Sequence, residues 1–386
     1  MKRQRALDLL KKWEIPIIAL CFFASGYLVH DIAARFSQTF GLLSQAHGIL
    51  LRQYVWPLPE PLVLQRGMIS GMLSVLDDPY TVYVEPDQHE IQSDALAGQF
   101  GGIGVRLLFD EEGQIILVPF PEGPAASAGI LDGDILLSVD GTPVNAEQQT
   151  DHIVALLRGD IGTQVELTIK RQGTGDEPLS FSVERARIDE PSLQYFQLPG
   201  EPAVGVIDLN IFTGQTPDEL QRAYESLSAA GVTALILDLR GNGGGLLDEG
   251  IAVADFFLDE GTIVIERDRN LEEHPSRATA GDAGEHIPLV LLVDGQSASA
   301  TEIVAAALQA NGRGSILGEE TFGKGSVQSI YELQDDSSIH VTTAEWLTPT
   351  GETIEGFGID PDVVLDLVTL SEDSLLTLAV ELLMEN

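Results

Sequence analysis

Apolar residues follow a helical spacing in the first part of the chain. Between about residues 31 and 78 they recur every three or four positions, with polar residues between them. This spacing predicts two or three helices. The segment 78–83 (DPYTVY) breaks the pattern with Pro79 and is predicted to begin a loop or a short strand.

A Gly-rich and strand-like pattern follows over residues 98–187. FGGIGV (100–105) leads into strand-like segments, and short helices are expected between them. The stretch resembles a PDZ domain through this glycine loop, the run LDGDILLSVDG (131–141) and a late helix at 150–158. The resemblance implies a PDZ-like β-sandwich or barrel that binds peptides.

From about residue 200, apolar strands alternate with helices. Such alternation predicts an α/β core with a partly parallel sheet. The strands are expected at 203–209, 233–239 and 287–295, and the helices at 216–229 and 301–310.

The charge of the chain is strongly unbalanced. Its 386 residues include 60 Asp plus Glu against 21 Lys plus Arg, for a formal net charge of −39. No nucleic acid partner is expected, since basic patches are needed to hold a phosphate backbone. Lysine is scarce, and only Lys170 and Lys324 lie beyond the N-terminal segment.

The N-terminus carries a targeting pattern. Basic residues dominate positions 1–14, and residues 15–29 (IPIIALCFFASGYLV) carry no charge. Either a cleaved signal or a retained membrane anchor fits, and in both cases the acidic body is expected to be exported. The only cysteine, Cys21, lies in this apolar run, which excludes a cysteine nucleophile in the body.

Ser299 and Lys324 are the candidate catalytic pair. Ser299 follows a predicted buried strand and precedes an Ala-rich helix, so backbone amides would be available to stabilise an oxyanion. The same residues, Ser299-x-x-Glu302, could equally form a helix capping box without chemistry. Lys324 could act as a base only if burial made it neutral, and Glu319 and Glu320 would then have to point away from it.

Two glycine-containing segments allow alternative interpretations. LDLRGNGGGLLDEG (237–250) could present amides to an oxyanion or could form only a tight turn. GEETFGKG (318–325) nearly matches a nucleotide-binding P-loop, but Gly325 replaces the hydroxyl residue and a strand-like segment follows. Neither a metal site nor a cofactor is predicted.

Several motifs in order resemble the C-terminal processing peptidases, also called tail-specific proteases. They are DPYTVY, FGGIGV, LDLRGNGGGL, SASATEI, GEETFGKGSVQ and WLTPTGETIEGFGIDPD. The resemblance implies a serine nucleophile at Ser299, a general base at Lys324 and a glutamine at Gln328 that orients this lysine. It also implies oxyanion donors at Ala300 and at Gly244 or Gly245.

The resemblance also implies a mode of substrate choice. A free carboxylate would be held by the loop Gly101, Gly102, Ile103 and Gly104, while the peptide adds as a strand beside Val105. Arg158 resembles a family arginine that links peptide binding to an active core, although a surface arginine after a helix fits equally well.

These features predict a multidomain α/β (α+β) serine endopeptidase that works without ATP on the C-terminal tails of exported proteins. A catalytically silent PDZ scaffold is the alternative. The expected segments are an anchor (1–30), a helical region with possible dimerisation into a homo-oligomer (31–97), the PDZ-like domain (98–187), the protease core (188–370) and a C-terminal helix or tail (371–386).

Overall fold

The computed structural model describes residues 40–110, 114–144, 150–171 and 177–385. The chain divides into two compact units, one ending at Gly71 and the other beginning at Met72. The predicted anchor or signal at 1–30 lies outside the described residues. No helix within the described ranges is long and apolar enough to cross a membrane.

From residue 40, where the described part of this region begins, two helices are present; the spacing predicts two or three for the whole region. Residues 40–53 form α1 within the described range, and Pro61–Leu73 form α2. Many of their apolar side chains are exposed, including Leu42 and Met72. The possible dimerisation of this region stays a prediction.

The segment after α2 leads into a small β-rich region. A six-stranded antiparallel sheet has the order β3-β4-β5-β7-β8, with β6 on β5, while β2 pairs with β9. Its core holds Leu117, Val139 and Ile169, which are fully buried. The elements are β1 (Val82–Val84), α3 (Pro86–Ala97), β2 (Gln99–Gly102), β3 (Val105–Phe109), β4 (Ile115–Pro119), α4 (Pro124–Ser127), β5 (Asp134–Val139), β6 (Thr142–Pro143), α5 (Thr150–Leu157), β7 (Gln164–Lys170), β8 (Leu179–Glu184) and β9 (Ala186–Asp189).

The remaining residues form the α/β core. A six-stranded sheet of order β10-β11-β12-β15-β16-β19 is parallel except between its first two strands. A five-stranded antiparallel sheet joins β1, β18, β13 and β14, with β17 beside β18. The elements are β10 (Leu193–Leu198), β11 (Glu201–Leu209), α6 (Thr216–Ala229), β12 (Ala234–Asp238), α7 (Leu247–Phe257), β13 (Thr262–Asp268), β14 (Glu273–Arg277), β15 (Leu289–Val293), α8 (Ala300–Ala310), β16 (Ser315–Gly318), β17 (Ser326–Glu332), β18 (Ser338–Leu347), β19 (Val363–Val364) and α9 (Glu372–Glu385).

The partly parallel sheet is buried on both faces, as a continuous apolar strand sequence requires. In β15, Leu291 faces the cluster that contains α6, α7 and α8 residues, whereas Val290 and Leu292 face the cluster that contains α9 residues. The strands β12 and β15 are parallel neighbours. Their carboxyl ends therefore lie side by side at one edge of the sheet, where ligand sites of open α/β sheets form.

The net charge of −39 generates a prediction for stability. Self-repulsion destabilises a compact, highly charged chain, and the Debye length falls from about 30 Å at 0.01 M salt to about 10 Å at 0.1 M. We expect the thermal unfolding midpoint to rise when NaCl increases over this low range, in which general salting-out effects are small. A midpoint that stays level or falls would show that surface ion pairs outweigh the repulsion.

Candidate active site

Ser299 lies at the turn between β15 and α8. It is the N-cap residue of α8, and its backbone has φ 60° and ψ −118°. A residue with a side chain is strained at positive φ, and such strain is frequent where a turn aims a nucleophile. The side chain is half-buried, while Ala298 and Ala300 on either side are buried.

The glycine loop after β12 packs directly against this turn. A Cβ atom placed on Gly244 would lie 2.8 Å from Ser299 Cβ and 3.2 Å from the backbone nitrogen of Ala300. The amide of Gly244 already donates to Asn242 Oδ1 at 2.9 Å. Within the described residues the amides of Gly245 and Ala300 have no hydrogen-bond acceptor. These two amides are thus available to a ligand, whereas that of Gly244 is occupied.

The loop between β16 and β17 places Lys324 near the Ser299 turn. Its backbone is held on both sides: the amide of Phe322 donates to Ser297 O at 3.0 Å, and Trp346 Nε1 donates to Lys324 O at 2.9 Å. The amide of Gly325 donates to Glu355 Oε2 at 2.8 Å. The loop is therefore fixed by neighbours from three separate parts of the chain.

The side chain of Lys324 is half-buried against Tyr80 of the DPYTVY segment. Its Nζ lies 5.2 Å from the centre of the Tyr80 ring, within cation–π range. Burial lowers the pKa of Lys324 below its ordinary value of 10.5, and the carboxylates of Glu355 and Glu302 oppose that shift.

Glu319 and Glu320 are close to Lys324 in sequence, but they do not raise its pKa. Neither contributes to the shift of the Lys324 pKa. Glu319 Oε1 instead accepts a hydrogen bond from the amide of Leu367 at 3.1 Å. The acidic groups that matter, Glu302 and Glu355, come from other elements.

The backbone amides of Ser299 and Lys324 donate to the same side chain, but the two side chains are not hydrogen-bonded to each other. The amides of both residues donate to Glu302 Oε2, at 2.8 and 2.9 Å. Within the described residues, no hydrogen bond joins Ser299 Oγ to Lys324 Nζ. Gln328 Nε2 donates to Ser326 Oγ at 2.9 Å rather than to the lysine, so its orienting role stays a prediction.

Glu302 is the functional residue that the sequence reasoning underestimated. The sequence suggested a local capping box with Ser299, and that pair is present. The same carboxylate also accepts three hydrogen bonds from residues 321–324, which a local sequence pattern does not reveal. The glutamate three positions after the serine was the only available signal.

The PDZ-like region carries a separate groove. A cavity of about 570 Å³ lies along β3 and α5, with Val105 and Leu157 among its lining residues. In the loop between β2 and β3, the carbonyls of Ile103 and Gly104 accept backbone hydrogen bonds. The amides of the same two residues have no acceptor within the described chain, and they are therefore free for a ligand.

Arg158 lines this groove at the end of α5. Its guanidinium lies 3.8 Å from the centre of the Phe100 ring and pairs with Asp94 of α3 at 3.1 Å. Its side chain is only 11% exposed, which argues against an ordinary surface arginine. Since α3 runs between β1 and β2, Arg158 connects the groove to the segment that follows Tyr80.

The structure does not support the nucleotide-binding alternative. A P-loop lysine opens a helix, but the residues after Lys324 form the strand β17. Among the described residues, one group has the spacing for a metal, namely Asp268, Glu272 and His274 at the β13–β14 turn. One Asp268 oxygen already accepts hydrogen bonds from two backbone amides of this turn.

Comparisons with known proteins define the class. The model of peptidase family S41 matches residues 203–365, and that of the PDZ domain matches residues 115–171. The chain belongs to peptidase family S41, among the C-terminal processing proteases, and is a serine-type peptidase.

Individual relatives support this assignment. The carboxy-terminal-processing protease of Bartonella bacilliformis is 37% identical over 319 residues, which cover 81% of this chain and 72% of that protein. The carboxy-terminal processing protease of Bacillus subtilis is 33% identical over 377 residues, covering 95% and 78%. The solved photosystem II D1 C-terminal processing protease has a TM-score of 0.50 and 31% identity, covering 87% of this chain and 90% of its own.

The close approach of Gly244 to Ser299 yields a prediction. Gly244 has φ +103°, and an added Cβ would lie 2.8 Å from both Ala298 O and Ser299 Cβ. We expect Gly244→Ala to displace the serine and to lower kcat about 100-fold, the loss typical of a misplacement of about 1 Å. The measurement is peptide hydrolysis by the purified variant, with its thermal unfolding recorded in parallel.

Gly243→Ala is the matched control. Its added Cβ would meet no atom within 4 Å, and its φ lies outside the positive range. This variant should retain wild-type turnover. Equal activity of both variants would contradict the importance of the close packing.

Proposed function

We propose that the chain is an ATP-independent endopeptidase that cleaves exported proteins after capturing their C-terminal tails. Ser299 Oγ attacks the peptide carbonyl and gives its proton to Lys324 Nζ. The protonated lysine then supplies that proton to the leaving amine. Water hydrolyses the acyl-enzyme in the second half-reaction, with Lys324 again acting as base.

One observation carries the proposal most directly. Ser299 is held at positive φ next to the amide of Ala300, and the loop that carries Gly245 packs against it through Gly244; the amides of Ala300 and Gly245 have no acceptor within the described residues. A tetrahedral intermediate needs such donors close to its developing negative oxygen. The occupied amide of Gly244 favours Gly245 over Gly244 as the second oxyanion donor.

Burial of Lys324 supports its role as base. The pKa of the lysine is lowered by burial, in the direction that makes a neutral amine available. The position of Nζ beside the Tyr80 ring, without a hydrogen bond to Ser299, is consistent with a form that tightens when substrate binds.

The free amides of Ile103 and Gly104 support capture of a terminal carboxylate. The strand β3 is at the edge of its sheet, so a peptide can add beside it through backbone hydrogen bonds. The apolar lining of the groove fits an apolar last residue.

The proposed export and membrane attachment rest only on the order of charged and uncharged segments along the chain. The basic residues of 1–14 precede the uncharged run 15–29 and the acidic body. Fractionation of cells that express the chain would check this part, and recovery of the body in the cytoplasm would contradict it.

Removal of either member of the dyad should abolish cleavage. We expect Ser299→Ala and Lys324→Ala each to lower kcat by at least about 1,000-fold, because the first removes the attacking hydroxyl and the second removes the amine that accepts its proton. The substrate is a fluorogenic peptide with a free apolar C-terminus, assayed without ATP. Both variants should still bind the tail, as measured by fluorescence anisotropy.

Retained turnover in either variant would contradict the dyad. Tail binding without hydrolysis by the wild-type chain would instead favour a silent scaffold.

The C-terminal carboxylate of the substrate should contribute to peptide binding and not to the hydrolysis step. We expect an amidated C-terminus to weaken binding to the wild-type chain by about tenfold or more, since charge-assisted hydrogen bonds to the loop amides are lost. Titration of paired free and amidated peptides with the Ser299→Ala variant measures this difference without hydrolysis. Equal affinity would argue against capture of a terminal carboxylate.

A further inference from the structure

We infer that Glu302 is a positioning residue for peptide hydrolysis, whose buried carboxylate holds the Lys324 loop in register with the Ser299 turn. The inference rests on the proposed Ser299/Lys324 dyad and assigns a residue that supports it. Within the described part of the chain, no hydrogen bond joins the Glu302 carboxylate to Ser299 Oγ or to Lys324 Nζ, and its contacts to both residues are through their backbone amides.

Four hydrogen bonds carry the inference. Glu302 Oε2 accepts from the amides of Ser299 and Lys324 at 2.8 and 2.9 Å. Glu302 Oε1 accepts from Thr321 Oγ1 at 2.6 Å and from the amide of Gly323 at 2.7 Å. One oxygen thus joins the backbones of the nucleophile and the base, which are separated by 25 residues in sequence.

The hydrogen-bond directions indicate that this carboxylate is ionised. Both donors to Oε2 and one of the two donors to Oε1 are backbone amides, which cannot accept. Thr321 Oγ1 itself accepts from the amide of Ile359 at 2.7 Å, so its own proton points to Glu302. Among the described residues, no partner is left to accept a proton from the carboxyl group.

A glutamate that only caps a helix would need fewer hydrogen bonds than Glu302 makes. For Glu302 to cap α8, only the hydrogen bond from the amide of Ser299 is required, and a glutamate is rarely fully buried unless its charge is paired. Glu302 is instead fully buried, and burial of a charge is costly unless strong hydrogen bonds compensate it. Three of its four bonds go to residues 321–324, which indicates that the position of this loop is what the charge secures.

The charge has a second effect that can be measured separately. The negative charge of Glu302 raises the pKa of Lys324, against the lowering by burial. The other ionisable groups that act near this lysine are Glu355, Tyr80 and His340. Since the base works as a neutral amine, removal of the Glu302 charge should move the rise of activity to lower pH.

The test compares Glu302→Gln and Glu302→Asp with wild type in the full-length chain. Glutamine offers one oxygen, so one pair of donors loses its acceptor, and we expect kcat to fall about 100-fold with a small change in KM. The pH at which kcat/KM reaches half its maximum should also fall. Aspartate keeps the charge but is one methylene shorter, so kcat should fall with a smaller shift of this pH.

Glu320→Gln is the matched control. Glu320 is exposed in the same loop and does not influence the pKa of Lys324. This variant removes an equal charge and should keep both the wild-type kcat and the wild-type pH profile. A pH shift of equal size in Glu320→Gln would overturn the role of the buried charge.

Variants of Thr321 keep the inference testable if Glu302→Gln does not fold. Thr321→Val removes one donor to Glu302 and leaves the charge, so kcat should fall with an unchanged pH profile. Thr321→Ser retains the hydroxyl and should restore kcat. Wild-type kcat in Thr321→Val would overturn the inference.

The outcomes separate this inference from the proposed function. Wild-type kcat and pH profile in Glu302→Gln, with Ser299→Ala and Lys324→Ala inactive, would overturn the positioning role and leave the dyad in place. Wild-type turnover in Ser299→Ala would overturn both.

Discussion

The parallel pairing of β12 and β15 is the constraint on which the candidate site depends. Because the two strands are neighbours with the same direction, the loops that leave their carboxyl ends must emerge side by side. One loop supplies the glycines 243–245, and the other supplies Ser299 at the start of α8. The amide of Ala298 donates to Asn242 O at 3.0 Å, which joins the two loops directly. The backbone donors and the hydroxyl group are therefore brought together by the sheet itself, before any catalytic side chain is considered.

The lysine, by contrast, must be held by long-range contacts, and its environment combines opposing effects. Burial favours the neutral amine, while the carboxylates of Glu302 and Glu355 and the ring of Tyr80 favour the ammonium ion. A carboxylate at position 302 has enough acceptor sites for four hydrogen-bond donors at once. Only the ionised group has all of these sites, so its negative charge cannot be avoided. The Glu302 carboxylate thus fixes the Lys324 loop but raises the pKa of Lys324. The burial of Lys324 lowers that pKa and opposes this effect.

Much of this arrangement could be predicted from local sequence patterns. The apolar runs at 203–209, 233–239 and 287–295 predicted strands where β11, β12 and β15 lie, and their alternation with helices predicted the partly parallel sheet. Ser299 could be placed at a helix start because only five residues separate the strand predicted at 287–295 from the helix predicted at 301–310. The scarcity of lysine directed attention to Lys324 without any structural information.

The partners of these residues could not be predicted, because each contact depends on tertiary packing. In sequence, Glu319 and Glu320 are the acidic residues nearest to Lys324, yet Glu302 and Glu355 are the ones that influence it, from 22 and 31 residues away. Likewise the three glycines 243–245 look equivalent in sequence. They are distinguished by the side chain of Asn242, which occupies the amide of Gly244, and by the close approach of Gly244 to Ser299. Residue type therefore shows which groups can take part in the chemistry, whereas the hydrogen-bond partners of each group decide which of them remain available to a substrate.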